Sequence, residues 1–363
     1  MHGTNLKVVP NHRGDATPTS ISIDRTHWGL VKLGLRHPYA AVRFVIRRIL
    51  WRLATFSPKI PVEPFLGKTP IYVIDIGAAG GFDSRWEFFG SNLMVSLFEP
   101  DQEAFKNLVS AYEYDERIEC FDCALSEDGR DIALYVTKWP RSSSVFTPSR
   151  EYVENNHIRD HYEVVNIVNL NSKRLIDVYE APDCDFVKID AEGYELPILK
   201  GGSTLLDSCV GLELEVYFSP VRIDQPFFSD VDSYCRGRGF TFMDFNGVGK
   251  EVPHDHFLLP SQRLESRGWT HAAEAALYFR WPKQVIALVE DGSWGFEKIY
   301  KAVALYLAFE QAEFAYVLLS LAKEKGMIPL QRDPQFVAAM KAVEDFSGFN
   351  RSFLYNRLRG TRH

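Results

Sequence analysis

The chain reads as an α/β fold built on a mainly parallel sheet. Two observations predict it. Between Pro70 and Trp281, short runs of β-branched and aromatic residues alternate with helical stretches. The first run, residues 71–76, also empties into the small-residue turn Gly77-Ala78-Ala79-Gly80-Gly81 ahead of a helix, the strand-turn-helix order of a nucleotide-type site. Strands are expected at 71–76, 94–98, 118–123, 186–189, 211–216, 241–245 and 275–279, with a further one at 131–138 after the turn Glu127-Asp128-Gly129.

The flanks differ in character. Residues 1–69 begin with an aperiodic polar stretch that reads as a mobile tail, followed by a basic amphipathic helix at 37–56 carrying Arg43, Arg47, Arg48 and Arg52. Such a helix can touch an anionic membrane surface peripherally, or pack on the core or a second subunit with its arginines solvated; the second is the expectation. Residues 70–282 form the α/β core. Residues 283–363 read as a helical appendage with helices at 295–309, 312–325 and 334–346, punctuated by Gly326 and Pro329. The helical ends offer a surface for a homodimer.

Composition narrows the class. With 46% hydrophobic residues in 363 the chain can bury a sizeable core. The net charge of −7 gives no global attraction to phosphate, so no nucleic-acid partner is expected. Five cysteines without a framework argue against a disulfide-stapled scaffold and for a cytoplasmic protein. Cys120 and Cys123 read as small apolar residues of a strand rather than zinc ligands. No signal peptide or membrane span is legible, since the most apolar stretch, 302–322, is interrupted by Glu310, Gln311 and Glu313.

Three acidic motifs carry the chemistry. Asp75 closes the first strand beside the glycine turn, where a dinucleotide pyrophosphate would be repelled. A ligand with an ammonium and a sulfonium reverses the sign, so the motif favours S-adenosylmethionine over NAD, and Ala79 breaks the G-x-G-x-x-G spacing. The second motif, Leu97-Phe98-Glu99-Pro100-Asp101, puts an acid at the next strand tip, suited to accept hydrogen bonds from ribose hydroxyls. The third, Asp185-Phe186-Val187-Lys188-Ile189-Asp190-Ala191-Glu192-Gly193-Tyr194-Glu195, ends a strand and opens a helix. Its Asp190 and Glu192 should face the cleft, with Glu195 serving the helix dipole.

These residues resemble the FkbM-type methyltransferases, a branch of the class I S-adenosylmethionine-dependent enzymes. The likeness rests on Asp75 to Gly81, on Phe98-Glu99-Pro100, on Ala124-Leu125-Ser126, and on Lys188 to Gly193 with Glu195 and Leu199-Lys200-Gly201. It covers about residues 70–281 and departs at Ala79, where the family usually carries Asn. The resemblance implies a Rossmann-like, seven-stranded, mainly parallel sheet with a reversed last hairpin. It also implies that Asp75, Gly77, Ala79 and Gly81 surround the methionine portion, that Glu99 with Pro100 meets the ribose, and that Asp122 and Ala124 border the adenine. The implied activity is methylation of hydroxyl oxygens on sugars, glycans or natural products.

Such transfer needs a base for the acceptor proton. Asp190 is the first candidate and Glu215, on the strand Gly211-Leu212-Glu213-Leu214-Glu215, the second, although Asp190 can instead orient the cofactor amine. Glu192 and the loop residues Ser143 and Ser144 are expected to meet the acceptor. His157, His161 and the cluster His254-Asp255-His256 read as surface histidines, and no metal is expected. A nicotinamide-dependent oxidoreductase and a noncatalytic scaffold of the same fold are the rival readings.

Overall fold

A computed structural model describes residues 61–154, 161–179, 183–251, 269–327 and 333–350. All fall in one compact unit, Lys59–Ser352. The basic helix expected at 37–56, His157 and the cluster at 254–256 lie outside the described residues.

Seven strands form the main sheet: β1 (Ile71–Ile76), β2 (Leu93–Phe98), β3 (Ile118–Phe121), β4 (Phe186–Ile189), β5 (Gly211–Tyr217), β6 (Thr241–Glu251) and β7 (Trp269–Phe279). Their order is β3-β2-β1-β4-β5-β7-β6. Strands β1 to β5 are parallel, and β7 runs antiparallel to both its neighbours. The fold is therefore Rossmann-like with a reversed final hairpin. The order reverses between β1 and β4, so their carboxyl ends open a crevice, the usual ligand position in such sheets.

Residues of alternate parity face opposite sides of a strand, and both sides here are buried. Ile71, Val73, Leu93, Val95, Leu97, Phe186, Leu277 and Phe279 belong to one core cluster. Ile74, Ile76, Phe98, Val187, Ile189, Leu212, Leu214 and Tyr278 belong to the other. Two-sided burial is why these strands are nearly continuous apolar runs.

Helix α1 (Gln102–Tyr112) links β2 to β3 and opens on Asp101, whose side chain accepts from the amides of Glu103 and Ala104. Helices α2 (Glu195–Gly201) and α3 (Phe228–Gly237) lie on the second face. The first face is covered by helices from the far end of the described chain: α4 (Pro282–Glu290), α5 (Glu297–Ala308), α6 (Ala312–Glu324) and α7 (Pro334–Asn350). They share one core with the sheet. Phe309, at the end of α5, stacks on Phe186 of β4 at 4.7 Å and meets Trp86 at 5.8 Å. The interruption expected within 302–322 is the break between α5 and α6, where Glu310 takes a positive φ of 60°.

At the amino edge of β4, Lys298 and Lys301 of α5 reach Asp185 at 2.6 and 3.0 Å and Asp183 at 2.8 and 3.2 Å. Both lysines and Asp185 are buried. Asp185, the leading acid of the third motif, is thus a clamp for the covering helices at the edge opposite the crevice. Buried charges of this kind are tolerated only as compensated sets.

Local departures from expectation are small. Strand β3 stops at Phe121, and Ala124-Leu125 pairs with Ser172-Lys173 instead. The strand expected at 131–138 appears as Ile132–Thr137, outside the main sheet, paired with Val164–Leu170. That partner is exposed along almost its whole length, so it carries no alternating pattern from which a strand could be read. Among the described residues no helix is long and apolar enough to cross a membrane.

Candidate functional site

Strand register builds the crevice. Asp75 lies beside Lys188, and Lys188 beside Glu213, across β1, β4 and β5. Lys188 Nζ is 2.8 Å from Asp75 Oδ1, while Arg85 pairs with Glu213 and with Asp83. Burial works against the Lys188 ammonium; the Asp75 carboxylate outweighs it and holds the lysine above its ordinary value. Two positions further along each strand, on the same face, stand Gly77, Asp190 and Glu215. The sheet therefore carries a row of paired charges one layer below a second row at its edge.

The cofactor side is formed by the turn after β1 and the tip of β2. Gly77 has a φ of 83°, and a Cβ on it would lie 1.9 Å from the carbonyl oxygen of Asp190. Gly81 has a φ of 89°, and a Cβ there would meet the Tyr112 hydroxyl at 2.7 Å. Between them Ala79 and Gly80 are exposed, and a Cβ on Gly80 would meet nothing within 4 Å. Glu99 is buried at the β2 tip, with Oε1 accepting from the Asp101 amide at 2.8 Å. Burial pushes its carboxyl up, against the backbone amides of Asp101 and Ala79. Pro100 is half-buried beside it, and Asp122 is exposed, accepting from Gln102 Nε2 at 2.6 Å.

This side fits S-adenosylmethionine. The open space over Gly80 leaves room for a ligand against the backbone, and the acids at the strand ends, Glu99, Asp122 and Asp190, suit a cationic, ribose-bearing molecule. Three of the expected cofactor residues have partners within the chain. Asp75 does not offer a free carboxylate: its side chain is wholly buried, with one oxygen on Lys188 and the other accepting from Trp86 Nε1 at 3.4 Å. The bareness of Gly77 makes room for the Asp190 carbonyl. Ala124 is buried in the pairing with Ser172.

On the acceptor side, carboxylate oxygens of Asp190, Glu192 and Glu215 lie within 4.8 Å of one another. Such a spacing is compatible with a divalent cation; among the described residues Arg222 already brings a positive charge to the group, its Nη2 2.5 Å from Glu192 Oε2. The Tyr217 hydroxyl stands 2.8 Å from the same oxygen and 2.9 Å from Glu215 Oε1. Arg222 is buried, with its guanidinium over the rings of Tyr217 at 5.0 Å and Tyr162 at 5.2 Å. Glu192 has a φ of 53° and Gly193 one of 96°. For a glutamate this left-handed geometry costs about 1–2 kcal/mol, which its ion pair helps to offset.

Glu195 caps the same loop, its Oε1 accepting from the amides of Ala191 and Gly193 at 2.9 and 3.1 Å. Ser143 and Ser144 likewise have partners within the chain. Ser144 is buried and donates to the Glu192 carbonyl at 2.8 Å, and the Ser143 hydroxyl accepts from the Thr137 amide at 3.1 Å. Both hydroxyls tie the loop to neighbouring backbone groups. Sequence reasoning missed Lys188, Tyr217 and Arg222 as site residues. Tyr217 was accessible, because it extends the same-face series Glu213, Glu215 along β5; nothing local marks Arg222.

Residues 75–242 match the family described as Methyltransferase FkbM domain. No curated protein matches the chain. Among solved structures it is similar to magnesium protoporphyrin IX methyltransferase from Synechocystis with bound S-adenosylmethionine, at 10% identity, 65% of this chain, 78% of that one and a TM-score of 0.30. It is similar to a 1,6-didemethyltoxoflavin-N1-methyltransferase from Burkholderia thailandensis at 14% identity, 74% and 98% coverage and a TM-score of 0.29. It is also similar to an rRNA methylase from Streptococcus thermophilus at 12% identity, 60% and 93% coverage and a TM-score of 0.30. The expectation of no nucleic-acid partner is corrected, because the net charge it was drawn from does not decide it. Net charge averages over the whole surface, whereas phosphate contacts depend on local patches, so a charge of −7 does not exclude one. The match over residues 75–242 identifies this part of the chain as similar to a methyltransferase FkbM domain, with S-adenosylmethionine as the cofactor it would use.

Proposed function

We propose that the chain transfers the methyl group of S-adenosylmethionine to a hydroxyl oxygen on a sugar, glycan or natural-product acceptor. The observation that carries this reading is Asp190. It is an exposed carboxylate at the carboxyl end of β4, beside the glycine turn and next to the held carboxylates of Glu192 and Glu215. When bound, the cofactor supplies an electrophilic methyl group on a positively charged sulfur. A neutral alcohol is a weak nucleophile, so a carboxylate that takes its proton as the bond forms contributes about 10²–10⁴-fold. The remaining task is to hold the acceptor oxygen about 3 Å from the methyl carbon and opposite the sulfur.

In this arrangement Glu99 accepts from the ribose hydroxyls, Asp122 borders the adenine, and Asp190 removes the acceptor proton. Glu192, anchored by Arg222, forms the rigid wall behind it. Incubation with methyl-labelled cofactor and separate pools of lipid-linked glycans, polysaccharide precursors, small metabolites and RNA tests the reading. Label recovered as O-methyl ethers in a glycan or metabolite pool is expected. Label confined to RNA, or to nitrogen or carbon, overturns it. Asp190→Asn should lower kcat with little change in cofactor affinity; a loss of cofactor affinity instead assigns Asp190 to the cofactor amine.

A further inference from the structure

A phenol has one proton to donate, yet the Tyr217 hydroxyl stands 2.8 Å from Glu192 Oε2 and 2.9 Å from Glu215 Oε1. Between two carboxylate anions one of those contacts would set oxygen against oxygen with no proton between them. A proton on one carboxyl removes the conflict, for that acid then donates to the tyrosine oxygen while the tyrosine donates to the other. The surroundings decide which carboxyl is protonated. Glu192 has the Arg222 guanidinium in direct contact at 2.5 Å. Glu215 has no cation in contact among the described residues, and its second oxygen, Oε2, is buried without a hydrogen-bond partner. The groups that act on Glu215 are the carboxyls of Glu192, Glu195 and Asp190, from the segment between β4 and α2, with Arg222 as the opposing charge. Tyr162 and His271 are further titratable groups beside Arg222.

We propose that Tyr217 is a positioning residue that fixes one proton between Glu192 and Glu215, with Glu215 the neutral acid and Glu192 the anion. Proton removal from the acceptor then falls to Asp190. The assignment of roles to Asp190 and to the acceptor hydroxyl rests on the proposed hydroxyl methylation; the proton lock does not. Burial, followed by the neighbouring carboxylates, pushes the Glu215 carboxyl well above its ordinary value, in accord with the geometry. The two acids titrate as a pair. A neutral acid held by Tyr217 also explains how three carboxyl groups sit together beside the Arg222 guanidinium.

Carbon-13 NMR of the full chain labelled at the glutamate carboxyl carbons tests the lock without any turnover. The Glu215 signal is assigned by its disappearance in Glu215→Gln. Near neutral pH it is expected at the neutral-acid position while the exposed glutamates appear as carboxylates. In Tyr217→Phe its midpoint should fall by about one pH unit, because the shared-proton state loses one more hydrogen bond than the dianion does. A Glu215 carboxylate signal in the unmodified protein overturns the proposal, as does an unshifted midpoint in Tyr217→Phe. Conversion of the acid signal to carboxylate by added Mg²⁺ also overturns it, in favour of a metal. In turnover, Asp190→Asn should lose about a hundredfold or more in kcat and Glu215→Gln about tenfold or less; equal losses overturn the division of roles. A neutral Glu215 in a protein that methylates no hydroxyl supports the lock and sinks only the acceptor reading.

Discussion

Replacing Lys188 with Met isolates the charge pair beneath the crevice. Lys188 Nζ stands 2.8 Å from Asp75 Oδ1, and the Asp75 side chain is wholly buried. Its other oxygen has the Trp86 indole at 3.4 Å, a long hydrogen bond. Lys188→Met therefore strands an anion under the sheet edge, and stranding one partner of a buried pair costs about 3–5 kcal/mol. The lysine side chain is 19% exposed, so water reaches the pair from one side and places the cost toward the lower figure. Adding Asp75→Asn removes the stranded charge, and the double variant should recover about 2 kcal/mol or more. Urea denaturation of the wild type, both single variants and the double variant closes the cycle and gives the coupling energy directly. A loss under about 1 kcal/mol in Lys188→Met, or single losses that simply add, would show that the pair is not the counter-charge its geometry implies.

Three further outcomes follow from the same geometry. Glu99→Gln keeps the size of the side chain but removes the charged acceptor at the ribose position, and should weaken cofactor binding about 10–100-fold by calorimetry; unchanged affinity would remove Glu99 from the site. Gly77→Ala forces a Cβ to 1.9 Å from the Asp190 carbonyl at a φ of 83° and should cost about 3 kcal/mol or more. Gly80→Ala, where the Cβ meets nothing, should stay within about 0.5 kcal/mol; comparable unfolding midpoints for the two would refute the close-approach argument. Burial pushes the Glu195 carboxyl from 4.5 up to about 8, so the folded chain keeps a proton that the unfolded chain releases. This contribution to stability is complete below pH 4.5 and is lost as pH rises through about 8. Glu195→Gln should flatten that slope in denaturation curves, and a wild-type curve already flat over the window would exclude it.

Local pattern determined much of this protein. Strands β1 and β4 begin and end where the sequence places them, because a two-sided buried strand is an apolar run stopped sharply by a turn or an acid. The tips at Glu99 and Asp190, the break at Glu310 and the three helices after Gly295 are likewise properties of neighbouring residues, legible from periodicity and punctuation. Tertiary structure decided which charges meet. Asp75 and Lys188 are 113 positions apart and become neighbours only because β4 returns beside β1. No spacing along the chain encodes that strand order, so an acid read as open to a ligand turned out to be buried in an ion pair. Arg222 under Glu192, the inward serines of the 142–144 loop and the α4–α7 helices lying on the first sheet face have the same origin. Residue type determines what each group can do chemically; the packing of distant segments determines which partner it finds and whether water or a ligand can reach it.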